Sequence, residues 1–158
     1  MQRAADFPET GHPVAGFYGS ISDWVDIELL AQTAQRLQNW NLVLVGEVRT
    51  DVTPLQGMSN VHFLGPRRHD ELPGYVQHWQ VSLLPFRDNA QIQACNPLKL
   101  REYLAAGTPI VTTDFPALDG YRDLVQVVAD PIRFADAVQV AALDLPPEEL
   151  LAVGRKLR

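Results

Sequence analysis

Apolar residues in this chain fall into short continuous runs, and the stretches between them carry apolar positions at helical spacing. Residues 14–19 (VAGFYG), 42–45 (LVLV, closed by Gly46), 61–65 (VHFLG), 81–85 (VSLLP) and 109–113 (PIVTT) read as strands, and 125–128 as a last short one. Continuous rather than alternating apolar runs are the mark of strands buried on both faces. Helices are expected between them. Residues 24–37 place Val25, Leu29, Leu30, Ala34 and Leu37 along one stripe. Residues 70–79 place Leu72, Val76 and Trp79 together, and residues 132–143 turn Phe134, Ala135, Val138 and Ala142 inward. Ser20 to Asp23 supply helix-capping residues ahead of the first helix, and 47–60, polar with Pro54 and Gly57, reads as loop. The pair Pro146-Pro147 followed by Glu148-Glu149 opens a final helix that runs to a basic end.

Strands alternating with helices predict an α/β fold, three layers deep, with a mostly parallel sheet covered on both faces. In such sheets ligands bind outside the carboxyl ends of the strands. Here those ends are Gly19-Ser20, Gly46-Glu47, Gly65-Pro66, Pro85-Phe86 and Thr112-Thr113.

The rest of the chain is organised around residues 95–112. Pro97 suits a first helical turn, Gly107 suits the left-handed residue that stops a helix, and Pro109 prevents its continuation. Leu98, Glu102 and Ala105 recur at helical spacing, as do Leu100 and Leu104. Lys99 and Glu102 lie three apart on one side. A helix start with a lysine suits a phosphate, and a glutamate one turn on can accept from two hydroxyls. Phosphate beside a diol describes the ribose end of a nucleotide. On these residues alone, a solvated Lys–Glu pair on an ordinary amphipathic helix is the better reading.

Composition narrows the classes. The chain has 158 residues, 46% hydrophobic and 20% charged, which suits one globular domain. Residues 1–13 read as a linker or truncated end and 14–158 as the domain. A net charge of −6 argues against bulk binding to nucleic acid or an anionic membrane, while leaving room for a local basic pocket. One cysteine, Cys95, allows no internal disulfide, fits a reducing compartment and has no neighbours at zinc spacing. No apolar run approaches the roughly 20 residues of a membrane span, and no signal-peptide core follows Met1. Neither GxxxxGK nor GxGxxG occurs, which argues against an NTPase and a dehydrogenase.

The ordered pieces, a strand ending in Gly19, then Leu42 to Gly46, Val61 to Pro66, Leu83 to Phe86 and the segment Pro97 to Val111, resemble the C-terminal half of GT-B glycosyltransferases. The likeness is nearest to the group-1, GT4-like family, including bacterial cell-surface polysaccharide enzymes. It extends over nearly the whole chain from residue 14. The resemblance implies a Rossmann-like domain that binds a nucleotide-sugar donor, with a UDP- or GDP-sugar as substrate and no cofactor or metal. The glutamate matching Glu102 would hold the ribose hydroxyls. The helix start matching Asn96, Pro97, Leu98 and Lys99 would meet the diphosphate, and the loop at Gly19 and Ser20 would approach it. The segment with His62, Phe63, Gly65 and Arg67 would lie near the base, largely through backbone groups.

Two departures from the family pattern stand out. Ala94 occupies the position of an earlier glutamate that faces the donor sugar. Ser20 and Val25-Asp26 stand where many members carry Arg and Lys, a positive charge that Lys99 or Arg87 would have to replace. No catalytic residue is assigned. His62 reads as a packed histidine and Arg68 as a solvated loop residue.

The expected function is donor binding for sugar transfer to an unknown acceptor in bacterial polysaccharide or glycolipid synthesis. The expected location is the cytoplasm, at the inner membrane face, with any peripheral membrane contact made through an N-terminal acceptor domain that this chain lacks. The chain is accordingly expected to be silent alone. Two alternatives remain open: a non-catalytic flavodoxin-like binding module, and half of a GT-B nucleotide-sugar epimerase.

Overall fold

A computed structural model describes residues 2–89, 92, 98–128 and 130–143. Six strands form one sheet: β1 (Val14–Tyr18), β2 (Asn41–Val45), β3 (Val61–Gly65), β4 (Val81–Leu84), β5 (Ile110–Thr112) and β6 (Gln126–Val127). Their order is β3-β2-β1-β4-β5-β6, and every pairing is parallel. The direction of travel across the sheet reverses between β1 and β4. That is the topological switch point where α/β sheets open a crevice.

The α-helices are α1 (Ile27–Arg36), α2 (Pro73–Val76), α3 (Leu98–Ala106) and α4 (Pro131–Ala141). Strand side chains alternate between two cores. Ala15, Phe17, Leu42, Leu44, Leu83 and Val111 meet α1 and α4 on one face. Val14, Tyr18, Val43, Val45, Leu84 and Ile110 meet α2 and α3 on the other. The three-layer Rossmann-like sandwich expected from the sequence is therefore the observed fold. Gly107 has φ +80° directly after α3, as a left-handed helix stop should.

Two local expectations are corrected. The first helix begins at Ile27, not near Trp24. Asp26 caps it, its carboxylate accepting from the Leu29 N–H at 3.0 Å. Residues 21–25 are drawn into extended bridges instead, Ile21 to Val48 and Val25 to Phe86, with Ile21 and Val25 fully buried. Tertiary burial overrides local propensity there.

The helix expected over 70–79 shrinks to a 3-10 turn (His69–Glu71) and the single turn of α2. Pro73 lacks the N–H a longer helix needs. Trp79 turns inward, donating from Nε1 to Ser82 Oγ at 2.8 Å.

The segment before β1, read as a linker or cut end, lies on the body of the domain. Phe7 is buried, Ala4 N donates to Gly74 O at 3.0 Å, and Asp6 accepts from Tyr75 Oη at 2.7 Å. The expected C-terminal helix lies outside the described residues, as do Ala94, Cys95, Asn96 and Pro97. Among the described residues no helix is long and apolar enough to cross a membrane.

One packing constraint sets the height of the switch point. A Cβ on Gly16 would lie 2.0 Å from Trp79 Cε3, far inside van der Waals contact. Gly16→Ala is expected to lose about 1–3 kcal/mol, the usual range for overpacking a close-packed core. Urea denaturation checks this, with a drop in midpoint at unchanged m-value expected.

Candidate functional site

At the carboxyl end of β1 the chain reaches Tyr18 and then Gly19, whose φ of +135° few other residues adopt. Gly19 N donates to Val45 O at 2.8 Å, which ties the loop after β1 to the end of β2. Gly46 N in turn donates to Gly65 O at 2.9 Å, linking the ends of β2 and β3. These turns border a cleft of about 200 Å³ lined by Tyr18, Gly19, Ser20, Gly46, Pro66 and Arg67, among others.

Helix α3 brings its charged side to the same place. Leu100 and Tyr103 are buried against the sheet, and that packing sets the helix's rotation. Lys99 and Glu102 then point toward the end of β1. Lys99 Nζ lies 4.6 Å from the Tyr18 ring centroid and 5.3 Å from that of Phe17. It occupies the space that a Cβ on Gly19 would need. Burial pushes the Lys99 ammonium below the ordinary lysine value, with Glu102 opposing. Glu102 Oε2 accepts from Tyr18 Oη at 2.6 Å and lies 3.3 Å from His69 Nε2. The Tyr18 N–H, beyond the last β1–β4 pair at Gly16, donates to Tyr103 Oη at 3.2 Å. Both phenols are pushed well above the ordinary tyrosine value, first by burial and with Glu102 adding to it, so they stay neutral. A cation, a carboxylate and a glycine-lined turn thus meet at one strand end. That set can hold an anion beside a polyhydroxyl group.

The structure gathers some of the residues expected from the sequence here and leaves others elsewhere. Lys99, Glu102, Gly19 and Ser20 are together. Gly65 lies at the end of β3 beside Pro66 and Arg67, which line the cleft. The Arg67 guanidinium is committed within the protein: Nε donates to Tyr75 Oη at 2.8 Å, Nη1 to Pro66 O at 2.8 Å, and Nη2 pairs with Asp6. His62 reaches away from the cleft, its Nε2 lying 2.8 Å from Asn41 Oδ1 at the amino end of β2. Burial holds its pKa below the usual histidine value. Phe63 is an exposed residue within the edge strand β3, and Leu98 is exposed on the first described turn of α3. Arg87 donates from Nε to Val25 O at 3.2 Å, so it braces the 21–26 segment. Asn96 and Pro97 lie outside the described residues.

Sequence reasoning missed Tyr18, Tyr103 and His69. The signal for Tyr18 was present, an aromatic residue directly before a strand-end glycine. Tyr103 adjoins Glu102 but reads there as a core residue. His69 reaches Glu102 only through the fold.

Comparisons with known proteins bear on the family and the fold. The sequence profile of "Glycosyl transferases group 1" matches residues 12–144. Over 108 residues, 66% of this chain, the sequence is 34% identical to TuaH of Bacillus subtilis strain 168, a glycosyltransferase named for teichuronic acid biosynthesis. The matched stretch is 27% of that protein, so the chain spans about a quarter of this relative. Among solved structures, Anabaena HepE in complex with UDP-glucose aligns with 91% of this chain and 42% of its own, at a TM-score of 0.70 and 16% identity. Sucrose-phosphate synthase from Thermosynechococcus elongatus aligns with 98% of this chain and 43% of its own, at a TM-score of 0.68 and 21% identity. At these identities the likeness to the two structures is one of fold.

The desolvated Lys99 has a signature in stability. Its pKa is lower folded than the unfolded value of 10.5, so the unfolded chain binds more protons between the two. Stability therefore rises with pH across that window and the burden is greatest below it. Lys99→Met removes the burden. Urea melts of both proteins from neutral pH to 10.5 are expected to show the Met variant's relative stability at its highest at neutral pH and falling as 10.5 is approached. A pH-independent difference would contradict the desolvation.

Proposed function

This chain belongs to the glycosyl transferases group 1 family, and from that membership we propose that it is the donor-binding half of a GT-B glycosyltransferase. Its substrate is a nucleoside-diphosphate sugar, with UDP or GDP as the carrier. The observation that carries this reading is the pairing of Lys99 and Glu102 at the end of β1, held there through Tyr18. Lys99 faces the diphosphate. Glu102 accepts from the ribose hydroxyls. Gly19 and Ser20 let backbone approach the phosphates, and the turn from Gly65 to Arg67 borders the base. The UDP-glucose bound to Anabaena HepE, a protein of the same fold, supports this choice of ligand class.

In the reaction the acceptor hydroxyl oxygen bonds to the anomeric carbon. The anomeric C–O bond to the diphosphate breaks, and its electron pair leaves on the diphosphate. Lys99 is a cation facing that developing charge, already partly desolvated before the reaction begins. No cofactor or metal enters this scheme. The site for the acceptor, and the base that takes its proton, are assigned to the other half of the GT-B fold. The relative named for teichuronic acid biosynthesis supports a bacterial cell-surface polysaccharide as the product class. The setting is the cytoplasm, with the partner domain meeting the inner membrane face.

Calorimetric titration with UDP, GDP, ADP and dTDP tests the reading. One nucleotide is expected to bind saturably, and Glu102→Ala to weaken it by about tenfold or more, as removing a charged hydrogen-bond acceptor should. If no nucleotide binds to a protein containing both domains, the chain is a non-catalytic module. If a nucleotide binds but product analysis of that protein shows an epimerised nucleotide sugar, the chain is half of an epimerase.

A further inference from the structure

Glu102 is not free to turn. Its Oε2 accepts a 2.6 Å hydrogen bond from Tyr18, whose ring lies under the Lys99 ammonium and whose own N–H is fixed by Tyr103. Tyr103 is fully buried and Tyr18 nearly so. The second neighbour of Oε2, His69, is largely exposed and more distant at 3.3 Å. Among the described residues, Glu102 Oε1 has no protein donor in hydrogen-bond range. The carboxylate is therefore anchored from the protein side by one buried phenol. The Glu102 side chain is partly exposed, and its exposed neighbour His69 lies on the solvent side.

We propose that Tyr18 is a positioning residue for donor recognition, holding the Glu102 carboxylate in the orientation that accepts the ribose hydroxyls. The proposal rests on the donor-binding reading and adds to it the residue that confers selectivity for the diol. A diol needs two acceptor directions at a fixed spacing. A glutamate on a helix surface has three rotatable bonds and would otherwise spread over several rotamers. The phenol O–H removes that freedom before the ligand arrives. It is suited to the task because burial keeps it neutral, so it donates and never repels the carboxylate. On binding, the ribose displaces exposed His69 and leaves the Tyr18 bond intact.

The test compares UDP with 2′-deoxy-UDP, and GDP with 2′-deoxy-GDP, by calorimetry on the protein containing both domains. For the base that binds, the wild-type protein is expected to prefer the ribonucleotide by about tenfold, the worth of a hydrogen bond to a charged group. Tyr18→Phe keeps the ring and the packing but not the hydroxyl. It is expected to bring that preference below about threefold, by weakening the ribonucleotide at least about threefold more than the deoxynucleotide, which keeps only its 3′-hydroxyl. A merely structural role would weaken both nucleotides alike and leave their ratio unmoved, which overturns the proposal. If Tyr18→Phe retains the full wild-type ratio and affinities, the proposal is likewise wrong. Failure of the underlying reading looks different: the wild-type protein binds no nucleotide. A wild-type protein that binds both forms equally overturns the selectivity claim while leaving nucleotide binding intact.

Discussion

The structure turns on how closely α3 approaches the end of β1. Lys99 occupies the space beside Gly19 that any side chain there would fill, and Glu102 on the same helix meets the hydroxyl of Tyr18. Neither contact survives a shift of the helix by a fraction of a turn. The helix is held at that position by Leu100 and Tyr103, both buried, and by the Tyr103 hydroxyl, which takes the N–H that β1 offers beyond its pairing with β4. A backbone N–H left open by the divergence of two strands at the switch point is thus satisfied from the helix that carries the site. Fold and site share one hydrogen bond, so the divergence that opens the crevice also fixes what lines it.

The sequence displayed the fold openly because the fold rests on patterns that local chemistry enforces. Continuous apolar runs cannot sit on a wetted sheet face, so β1, β2 and β4 had to be covered on both sides. Gly107 and Pro109 ended α3 where their backbone preferences require. What stayed hidden depends on contacts far apart in the chain. Trp24 and Val25 fit the stripe of the first helix, but Ile21 and Val25 are buried in extended bridges instead. The stretch after β3 has the stripe of a helix, yet Trp79 is recruited by Gly16 and Ser82, on strands from two different parts of the chain. Of the site, Lys99 and Glu102 were legible as a pair on one helix side. Tyr18 was not, because its role exists only once β1 and α3 are neighbours in space.

Charge explains why so small a set of residues matters. The chain carries a net charge of −6, so its long-range field does not favour an anionic ligand. Attraction must come from short range, from a cation already partly stripped of its water. Lys99 meets that condition, with two aromatic faces beside it and Glu102 near enough to moderate the penalty. Desolvation weakens the folded state and strengthens the lysine's interaction with any phosphate that reaches it, since both follow from the same loss of solvent screening.

Arg67 sharpens the point by contrast. It too lines the cleft, in the segment that the resemblance places near the base. Its three guanidinium nitrogens are nevertheless spent on Tyr75, Pro66 and Asp6, and Asp6 belongs to the segment ahead of β1. A guanidinium so engaged is a strut: it fastens the turn after β3 to the N-terminal segment and shapes the cleft wall, with its charge already answered by a carboxylate. Among the described residues Lys99 has no such ion-pair partner in direct contact, only the two rings and the nearby carboxylate of Glu102. The division of labour between the two cations follows from their chemistry, because a planar fork with five donors suits bracing several fixed acceptors, whereas a compact ammonium on a flexible stem suits a ligand that comes and goes. The segment ahead of β1 therefore belongs to the architecture of the cleft, since it is what keeps Arg67 in the wall.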